Sequence, residues 1–423
     1  MRYLLLLSVL LVPACERRTT DRTLVFWCSN NAGEIAFAKE FTEQWQRRRP
    51  DKPLRFQPIP EGQSSEEIIL ASVVGKTTPD IYANLWQGNV EMYARAKVLV
   101  PLDTLKGFLD FIRTRCDSSM IREITSTDGH IYQVPWKVNP IMTLCNPRAL
   151  AARRAPQPPY TYSEYLKAGA QFRFDRNHDG YTDQWLGYTE VKPIWYQRLF
   201  NFYPLYLAAS NGAPLIADNR AAFNNRYAVE VFRFLQELYR KDYFARERLS
   251  ATRDPFLARR IATQFTGPWT IGFLEKFKDP GFEYETYPMP VPDDHRGPVY
   301  TYGDPKNIVI FNTCPDPQAA WEFVRTLIDR PGDLRLMELT GQFPRRQGLN
   351  SDPYFAGFLR KNPRLVPFAR QAQYIRGVDN CEVIVEVFDI ISQEYQACVL
   401  YDRKTPEEAV RDAARAVDVL LGN

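Results

Sequence analysis

Residues 24–45 read LVFWCSNNAGEIAFAKEFTEQW, and this segment decides the fold. Its first four residues form a short apolar run that suits a buried strand, and Asn30, Asn31 and Gly33 indicate the turn that ends it. Apolar residues then recur at helical spacing as far as Trp45, and Pro50 stops the pattern. The chain therefore opens with a strand, a loop and a helix.

The same alternation returns in the next forty or so residues. A strand pattern at 54–58 is followed by a helical pattern at 65–74 and a second strand pattern at 79–82. Strands separated by helical stretches of this length predict parallel strands in layered α/β domains. In such sheets, ligands bind at the carboxyl ends of the strands.

The length of the chain and the positions of its turn residues predict two lobes. A chain of 423 residues is longer than one hydrophobic core usually serves. Turn residues and aromatics interrupt the alternation at 129–135, 298–304 and 341–348, which would match three crossings between two lobes. Helix starts are predicted by capping boxes at Thr161 and Thr405 and by Asp316-Pro317. The apolar face of the last helix predicts that the C-terminus docks onto a lobe.

Composition excludes several classes of protein. Hydrophobic content of 45% with 25% charged residues excludes a disordered chain. The 54 basic and 50 acidic residues give a net charge of +4 with no concentrated basic patch, so we expect no nucleic-acid partner. Six cysteines after Cys15 favour disulfides in an oxidising compartment, and Cys381–Cys398 is the first pair we would expect among fifteen pairings of Cys28, Cys116, Cys145, Cys314, Cys381 and Cys398.

The N-terminus has the pattern of an export signal. A cationic start, the apolar run 4–12 and Pro13-Ala14 predict a signal peptide over 1–14, and the run is too short to span a membrane. Cys15 directly after Val-Pro-Ala resembles the bacterial lipoprotein cleavage box, in which the cysteine receives diacylglycerol and becomes the new N-terminus. Residues 15–22 then read as a lipidated, flexible tether. The alternative is an ordinary leader that ends near a cysteine.

Short motifs along the chain occur in a shared order and spacing. They are Thr78-Pro79-Asp80-Ile81, Val100-Pro101-Leu102-Asp103, the run 128–135, Cys145-Asn146-Pro147, Gly267-Pro268-Trp269, Pro288-Met289-Pro290 and the run 315–323. Together they resemble the extracellular solute-binding proteins of ABC importers, in the large family 1 that includes the maltose and trehalose binders. The likeness covers nearly all of the mature chain.

The resemblance implies an α/β, two-lobed periplasmic-binding-protein fold of type II, with a ligand cleft between lobes joined by hinge strands and closure by hinge bending. The first lobe should take 23–136 plus 302–330 and the second 137–301 plus 340–423. The implied function is to capture a sugar, a di- or oligosaccharide, for ABC permease subunits. We expect a monomer without enzymatic activity, anchored to the membrane and facing the periplasm or cell exterior.

Sugar recognition needs flat apolar faces for ring C–H groups and polar groups for hydroxyls, because each desolvated hydroxyl must regain its hydrogen bonds. Core packing is the alternative for Trp27 and Trp195, and a solvated side chain for Arg345. On the resemblance, the expected ligand-binding residues are Trp27, Asn30, Trp86, Gln87, Trp136, Trp195, Tyr196, Trp269, Tyr302, Gly303 and Arg345.

The segment 175–183 matches the first nine positions of a calcium loop, with oxygen donors at alternate positions and a glycine at the sharp turn. Its candidate ligands are Asp175, Asn177, Asp179, Tyr181 and Asp183. The twelfth position holds Leu186 where glutamate would complete the site. A calcium ion bound here would be structural, and a metal-free turn is the alternative. No other cofactor is expected.

Two other functions compete with sugar capture. A glycoside hydrolase would need two carboxylates about 5 to 10 Å apart, and Glu34, Glu61 and Asp304 lie near the expected cleft, but no catalytic motif surrounds them. The second alternative is a binder of a polyol, a sugar phosphate or a metal chelate. A phosphate ligand would favour a cleft rich in arginine or helix N-termini, and a metal would favour clustered metal ligands. The aromatic candidates favour carbohydrate without identifying the sugar.

Overall fold

The architecture is described from a computed structural model, which covers residues 23–60, 64–155, 158–246, 249 and 253–423. The strands are β1 Leu24–Cys28, β2 Leu54–Pro58, β3 Ile81–Trp86, β4 Val134–Val138, β5 Met142–Cys145, β6 Ile216–Ala217, β7 Arg220–Ala221, β8 Thr263–Thr266, β9 Glu285–Tyr287, β10 Thr301–Tyr302, β11 Lys306–Ile310, β12 Phe343–Pro344 and β13 Ile375–Arg376. The α-helices are α1 Ala32–Arg48, α2 Ser65–Val74, α3 Val90–Arg95, α4 Phe108–Arg115, α5 Ser118–Ile124, α6 Pro147–Ala152, α7 Tyr162–Phe172, α8 Phe202–Ala209, α9 Arg226–Arg240, α10 Trp269–Phe277, α11 Pro317–Leu327, α12 Arg330–Thr340, α13 Pro353–Lys361, α14 Val366–Gln371, α15 Ile384–Tyr395 and α16 Pro406–Leu420. Shorter turns of helix occupy Gln87–Asn89, Leu102–Thr104, Trp195–Phe200, Pro363–Leu365 and, with π geometry, Gln396–Leu400.

The first lobe is built on a six-stranded sheet in the order β12-β4-β11-β3-β1-β2. β1 pairs with β2 and β3 in parallel, as the opening alternation predicts. β11 is antiparallel to both β3 and β4, and β12 is antiparallel to β4. The late strands β11 and β12 therefore complete a sheet that the first 140 or so residues begin.

Helices cover both faces of this sheet. One face presents Phe26, Ile81 and Ile308 to α1, α4 and α11, and its hydrophobic cluster also includes Leu336 of α12. The other face presents Tyr82 and Val309 to α2 and α3. Alternating residues of each strand point to opposite faces, which is why neighbouring residues enter different clusters.

The second lobe has a smaller sheet in the order β8-β5-β9. Both of its pairings are antiparallel, unlike the parallel pairings that the first strands of the chain show. A large cluster of buried residues from α7, α8, α9, α15 and α16 packs beside it. The last helix, α16, docks into this cluster through Val410, Ala413 and Val417, as its apolar face predicts.

The predicted helix starts are present. Thr161 and Thr405 form capping boxes with Glu164 and Glu408, and Asp316 caps α11 with Pro317 in its first turn. Each cap supplies oxygen to backbone N–H groups that the helix leaves unpaired.

Three segments cross between the lobes. The first runs from β4 to β5, and the second runs from β10 to β11, where Asn139 N and Ile141 N donate to Gly303 O and Tyr302 O at 2.6 and 2.9 Å. The third follows β12, which lies in the first-lobe sheet. The sequence-based boundaries at 330 and 340 therefore fall too early, because α12 packs on the first lobe and β12 pairs with β4.

The expected disulfide is not formed. Cys381 precedes α15 and Cys398 follows it, and the 12 residues of this helix span about 18 Å, whereas a disulfide needs Cα atoms within about 7 Å of each other. No disulfide forms among the cysteines that the structure describes. Burial raises the pKa of the Cys398 thiol to about 12, so this group stays protonated.

Among the described residues, no helix has the length and apolar character to cross a membrane. The signal peptide over 1–14, Cys15 with its tether, and Glu61 lie outside the residues that the structure describes.

Candidate functional site

One edge of the first-lobe sheet faces the second lobe. The carboxyl ends of β1, β3 and β4 meet there with the amino ends of β11 and β12, because those two strands run in the opposite direction. In open α/β sheets, ligands bind outside the carboxyl ends of the strands. This edge and the second-lobe surface opposite it therefore form the candidate site.

Trp86, the last residue of β3, packs directly against the second lobe. Its ring centroid lies 4.8 Å from that of Trp195, and its Nε1 donates to the Tyr302 hydroxyl at 2.9 Å. A Cβ on Gly88 would lie 2.2 Å from the Trp86 ring, so only glycine leaves room for the indole to fold over this turn. Trp86 is 2% exposed and is held as a contact between the lobes.

Further aromatic side chains extend this contact. Tyr196 lies at a right angle to Trp195 with centroids 5.7 Å apart, and Phe200 lies 6.2 Å from Trp269 and 6.4 Å from Tyr302. Tyr196 and Trp269 are 40% and 43% exposed, so a ligand can reach their rings. We call Trp86, Trp195, Tyr196, Phe200, Trp269 and Tyr302 the interlobe aromatic cluster.

The backbone of Gly267-Pro268 presents Trp269. These two residues join the end of β8 to Trp269, which begins α10. A Cβ on Gly267 would lie 2.1 Å from the Trp269 ring, so the indole folds back over the glycine. The sequence Gly-Pro-Trp therefore gives this side chain one defined position at the surface of the second lobe.

A buried ion pair lies at the same sheet edge. Lys137 of β4 contacts Glu34 of α1, and the two side chains are 2% and 1% exposed. Gln342 Nε2 and Asn31 Nδ2 also donate to Glu34 Oε1, at 3.0 and 2.8 Å. Burial alone would raise the pKa of Glu34, but Lys137 and these hydrogen bonds hold it below its ordinary value. Burial lowers the pKa of Lys137, and the Glu34 carboxylate opposes this shift.

A second charged group stands at the start of β11. Lys306 Nζ lies 3.5 Å from Asp304 Oδ1 and 3.7 Å from Glu66 Oε1. Burial lowers the pKa of Lys306, but the two carboxylates outweigh it and the pKa is raised. Tyr302 also donates to Asp304 at 3.3 Å, which connects this group to the interlobe aromatic cluster.

Gln87 and Arg345 take part in another contact between the lobes. Glu123 of α5 binds Arg345 Nη2 at 2.6 Å and accepts from Gln87 Nε2 at 3.0 Å and Gly377 N at 3.2 Å. A Cβ on Gly377 would lie 2.0 Å from Gln87 Oε1, so the second lobe approaches closely only because this residue is glycine. We call this group the Glu123 junction. Burial would raise the pKa of Glu123, but Arg345 outweighs it and the pKa is lowered.

Asp379 lies next to this junction, and its burial predicts how the stability of the fold depends on pH. It accepts from Leu215 N at 2.8 Å and Ile216 N at 3.0 Å, and burial raises its pKa from 3.8 to about 6. Between these two values the folded protein holds a proton that the unfolded chain has released. Stability therefore falls as the pH rises through this range, and the full cost, on the order of 2 to 3 kcal/mol, is present above it.

Asp379→Asn keeps an acceptor oxygen and removes this charge, so we expect the thermal midpoint at pH 7.5 to rise by about 5 °C. Midpoints measured from pH 4 to pH 8 should fall less steeply with pH than in the unaltered protein. Asp218→Asn, at an exposed position, is the control and should leave the slope unchanged. An Asp379→Asn midpoint that follows the unaltered protein at every pH would contradict the assignment.

The structure brings some of the predicted residues together and separates others. Trp86, Trp195, Tyr196, Trp269 and Tyr302 share one cluster, although Tyr302 is fully buried. Trp27 and Trp136 instead lie in the two hydrophobic clusters of the first lobe. Each projects from a face of the sheet into a helix layer, and Trp136 packs 6.2 Å from Phe37.

The other predicted positions have distinct surroundings. Asn30 is exposed in the turn after β1, and Gly303 packs against Ile375, where a Cβ would come within 2.8 Å. In the predicted calcium loop, Asp175 and Asp179 accept from Gly180 N and Tyr181 N, both at 2.8 Å. Among the residues described, no group of three or more His, Cys, Asp or Glu side chains is suited to hold a metal. Calcium binding stays a prediction.

The fold and this site between two lobes define the class of two-lobed α/β binding proteins. The sequence profile of the bacterial extracellular solute-binding proteins matches residues 36–357. The chain therefore belongs to this family of bacterial extracellular solute-binding proteins, whose members work outside the cytoplasm. A search of curated protein sequences found no match.

Solved structures share the fold over nearly the whole chain. An uncharacterized protein from Listeria monocytogenes EGD-e is 26% identical with a TM-score of 0.81, and the match covers 94% of this chain and 99% of that one. The sugar-binding protein MalE from Xanthomonas citri is 18% identical with a TM-score of 0.76, covering 95% and 98%. A maltose/maltodextrin-binding domain from Bdellovibrio bacteriovorus, bound to maltotriose, is 18% identical with a TM-score of 0.72, covering 95% and 100%.

Proposed function

We propose that the protein captures a sugar, of the di- or oligosaccharide class, between its lobes and delivers it to the membrane permease of an ABC importer. The observation that carries the proposal is the interlobe aromatic cluster, with Tyr196 and Trp269 exposed beside two buried rings that join the lobes. Aromatic faces are suited to the C–H surfaces of sugar rings, because these surfaces are apolar although the sugar is polar overall.

Polar groups beside the cluster can form the hydrogen bonds that sugar hydroxyls require. Asp304 and Lys306 are partly exposed, at 13% and 18%, and Asp304 accepts from the Tyr302 hydroxyl. Their charged oxygen and nitrogen atoms can accept from and donate to hydroxyl groups, which replaces the hydrogen bonds that a sugar gives up on leaving water. The neighbours named as binders of sugar, maltodextrin or a cyclic maltosyl-maltose support the same class of ligand.

A polyol or a sugar phosphate is the alternative ligand. A thermal-shift screen of the mature chain against mono- and oligosaccharides, polyols and sugar phosphates tests the choice. A ligand at 100 times its dissociation constant stabilises by about 2.7 kcal/mol, so a sugar should raise the midpoint by several degrees. A rise with another solute class and with no sugar would overturn the proposal.

Binding without catalysis is part of the same proposal. A glycoside hydrolase needs one carboxyl group that holds a proton and a second across the bond. Glu34 is buried against Lys137, and Asp304 is paired with Lys306, so in each case a cation favours the ionised carboxylate over the protonated form that a general acid needs. Incubation with oligosaccharides should give no shorter products, and any turnover would contradict this reading.

We further propose that Cys15 carries the lipid anchor of the mature protein, with residues 15–22 as its tether. An anchor would keep the lobes close to the permease. One acyl chain alone holds a protein only weakly at a membrane, so the proposal requires more than one chain on Cys15. Mass spectrometry of the mature N-terminus should find a lipidated Cys15, and an unmodified cysteine there would remove the anchor while leaving sugar capture in place.

A further inference from the structure

Helix α10 carries a line of exposed aromatic side chains. Trp269, Phe273 and Phe277 occupy every fourth position and are 43%, 43% and 52% exposed, whereas Ile271 and Leu274 on the other face are buried. The Phe273 and Phe277 ring centroids lie 5.0 Å apart. The line is about 12 Å long, since eight residues of helix separate its ends. We call Trp269, Phe273 and Phe277 the aromatic stripe.

The aromatic stripe continues the interlobe aromatic cluster. Trp269 belongs to both, and its ring packs edge-on against Phe200 of the cluster with centroids 6.2 Å apart. Beside the stripe, Gly272 leaves open space, because a Cβ at that position would meet no atom within 4 Å. At Gly272, therefore, no side chain stands between a ligand that leaves the cleft over Trp269 and the next turn of α10.

We propose that the aromatic stripe binds those units of an oligosaccharide that extend beyond the cleft. The inference rests on the proposed function and deepens it, because it predicts that the ligand is a glycan longer than the cleft itself accommodates. Four residues of helix rise by about 6 Å, which is comparable with one pyranose unit, so successive sugars can lie against successive rings. Each exposed ring offers an apolar face and leaves the hydroxyls in water.

The charges around the stripe favour a glycan over a membrane surface. Helices that bind membranes combine apolar residues with several lysines or arginines that attract anionic lipid. Here Lys278 pairs with Glu275 at 2.8 Å, and Lys276 lies over the Phe277 ring, 5.1 Å from its centroid. The stripe therefore has two neighbouring lysines, one of them paired with a carboxylate, where a membrane-binding helix has several free cationic groups, and a neutral ligand fits it better.

The test compares short and long sugars on variants of the stripe. Calorimetric titrations would use maltose with maltoheptaose, cellobiose with cellohexaose, and xylobiose with xylohexaose. We expect the unaltered protein to bind the long member of at least one pair about tenfold more tightly than the short one. The double variant F273S/F277S should lose this tenfold gain and keep its affinity for the short sugar within twofold.

Two controls separate ring stacking from other effects. F273L/F277L keeps apolar bulk without rings and should lose most of the gain, whereas Tyr354→Ser, at an aromatic residue with 44% exposure on α13, should lose none. Equal affinity for short and long sugars in the unaltered protein, or an unchanged gain in F273S/F277S, overturns this inference alone. Binding of none of the six sugars overturns it together with the proposed function. Sedimentation with phosphatidylglycerol vesicles that depends on Phe273 and Phe277, without any effect on sugar affinity, would assign the stripe to a membrane.

Discussion

Trp269→Ala is expected to weaken sugar binding by about 30-fold, which corresponds to about 2 kcal/mol. Trp269 presents the most exposed large ring of the interlobe aromatic cluster, at 43%, and alanine removes both its apolar area and its flat face. Because the side chain is partly exposed, the fold should tolerate the change. Titration of the tightest sugar from the screen into the purified variant measures the loss.

A second variant moves the ring without removing it. Gly267→Ala places a methyl group where it would lie 2.1 Å from the Trp269 ring, so the indole must leave its position and affinity should fall almost as far. Tyr354→Ala removes an exposed ring on α13 that is not part of the interlobe aromatic cluster. This variant should bind the sugar as the unaltered protein does. Affinity within threefold of the unaltered protein in both Trp269→Ala and Gly267→Ala would place the ligand elsewhere.

Lys137→Met is expected to lower the free energy of unfolding by about 3 to 5 kcal/mol. The substitution leaves the Glu34 carboxylate buried at the sheet edge with only the amide donors Asn31 and Gln342. A buried charge without its partner costs far more than an intact pair contributes. The thermal midpoint should fall by about 10 °C.

The double variant with Glu34→Gln and Lys137→Met tests the cause. It removes both charges, so it should recover most of the lost stability, although Lys137→Met alone is strongly destabilised. Glu43→Gln, at an exposed position of the same helix, should have almost no effect. If the double variant were as unstable as the single one, loss of side-chain packing, and not an unpaired charge, would explain the result.

The sequence predicts those features that depend on local pattern. The opening strand and helix, the capping boxes at Thr161 and Thr405, and the position of Trp269 after Gly267-Pro268 all follow from neighbours in the chain. The family profile and the structural matches confirm the two-lobed α/β fold. Short-range periodicity carries this information because it reports which face of an element is apolar.

The residues that sequence alone misplaces or misses depend on long-range packing. Trp27 and Trp136 were expected beside the ligand, but the alternation of their strands directs both into helix layers. Lys137 and Glu34 are 103 positions apart, and Glu123 and Arg345 are 222 apart. Neither pair belongs to a motif, so only the folded chain shows that the charges meet.

The placement of β11 between β3 and β4 has a consequence for the order in which the chain can fold. During synthesis or export, β3 and β4 appear long before residue 306, and until then the edge of each that β11 will occupy stays without its hydrogen-bonding partner. Unpaired strand edges are sites where chains aggregate, and pairings distant in sequence form slowly. The strands β5, β8 and β9 all lie within 142–287, so the second lobe can close its sheet first. The sheet that begins the chain is therefore the one that must wait, and a holding chaperone would act on the two open strand edges within it.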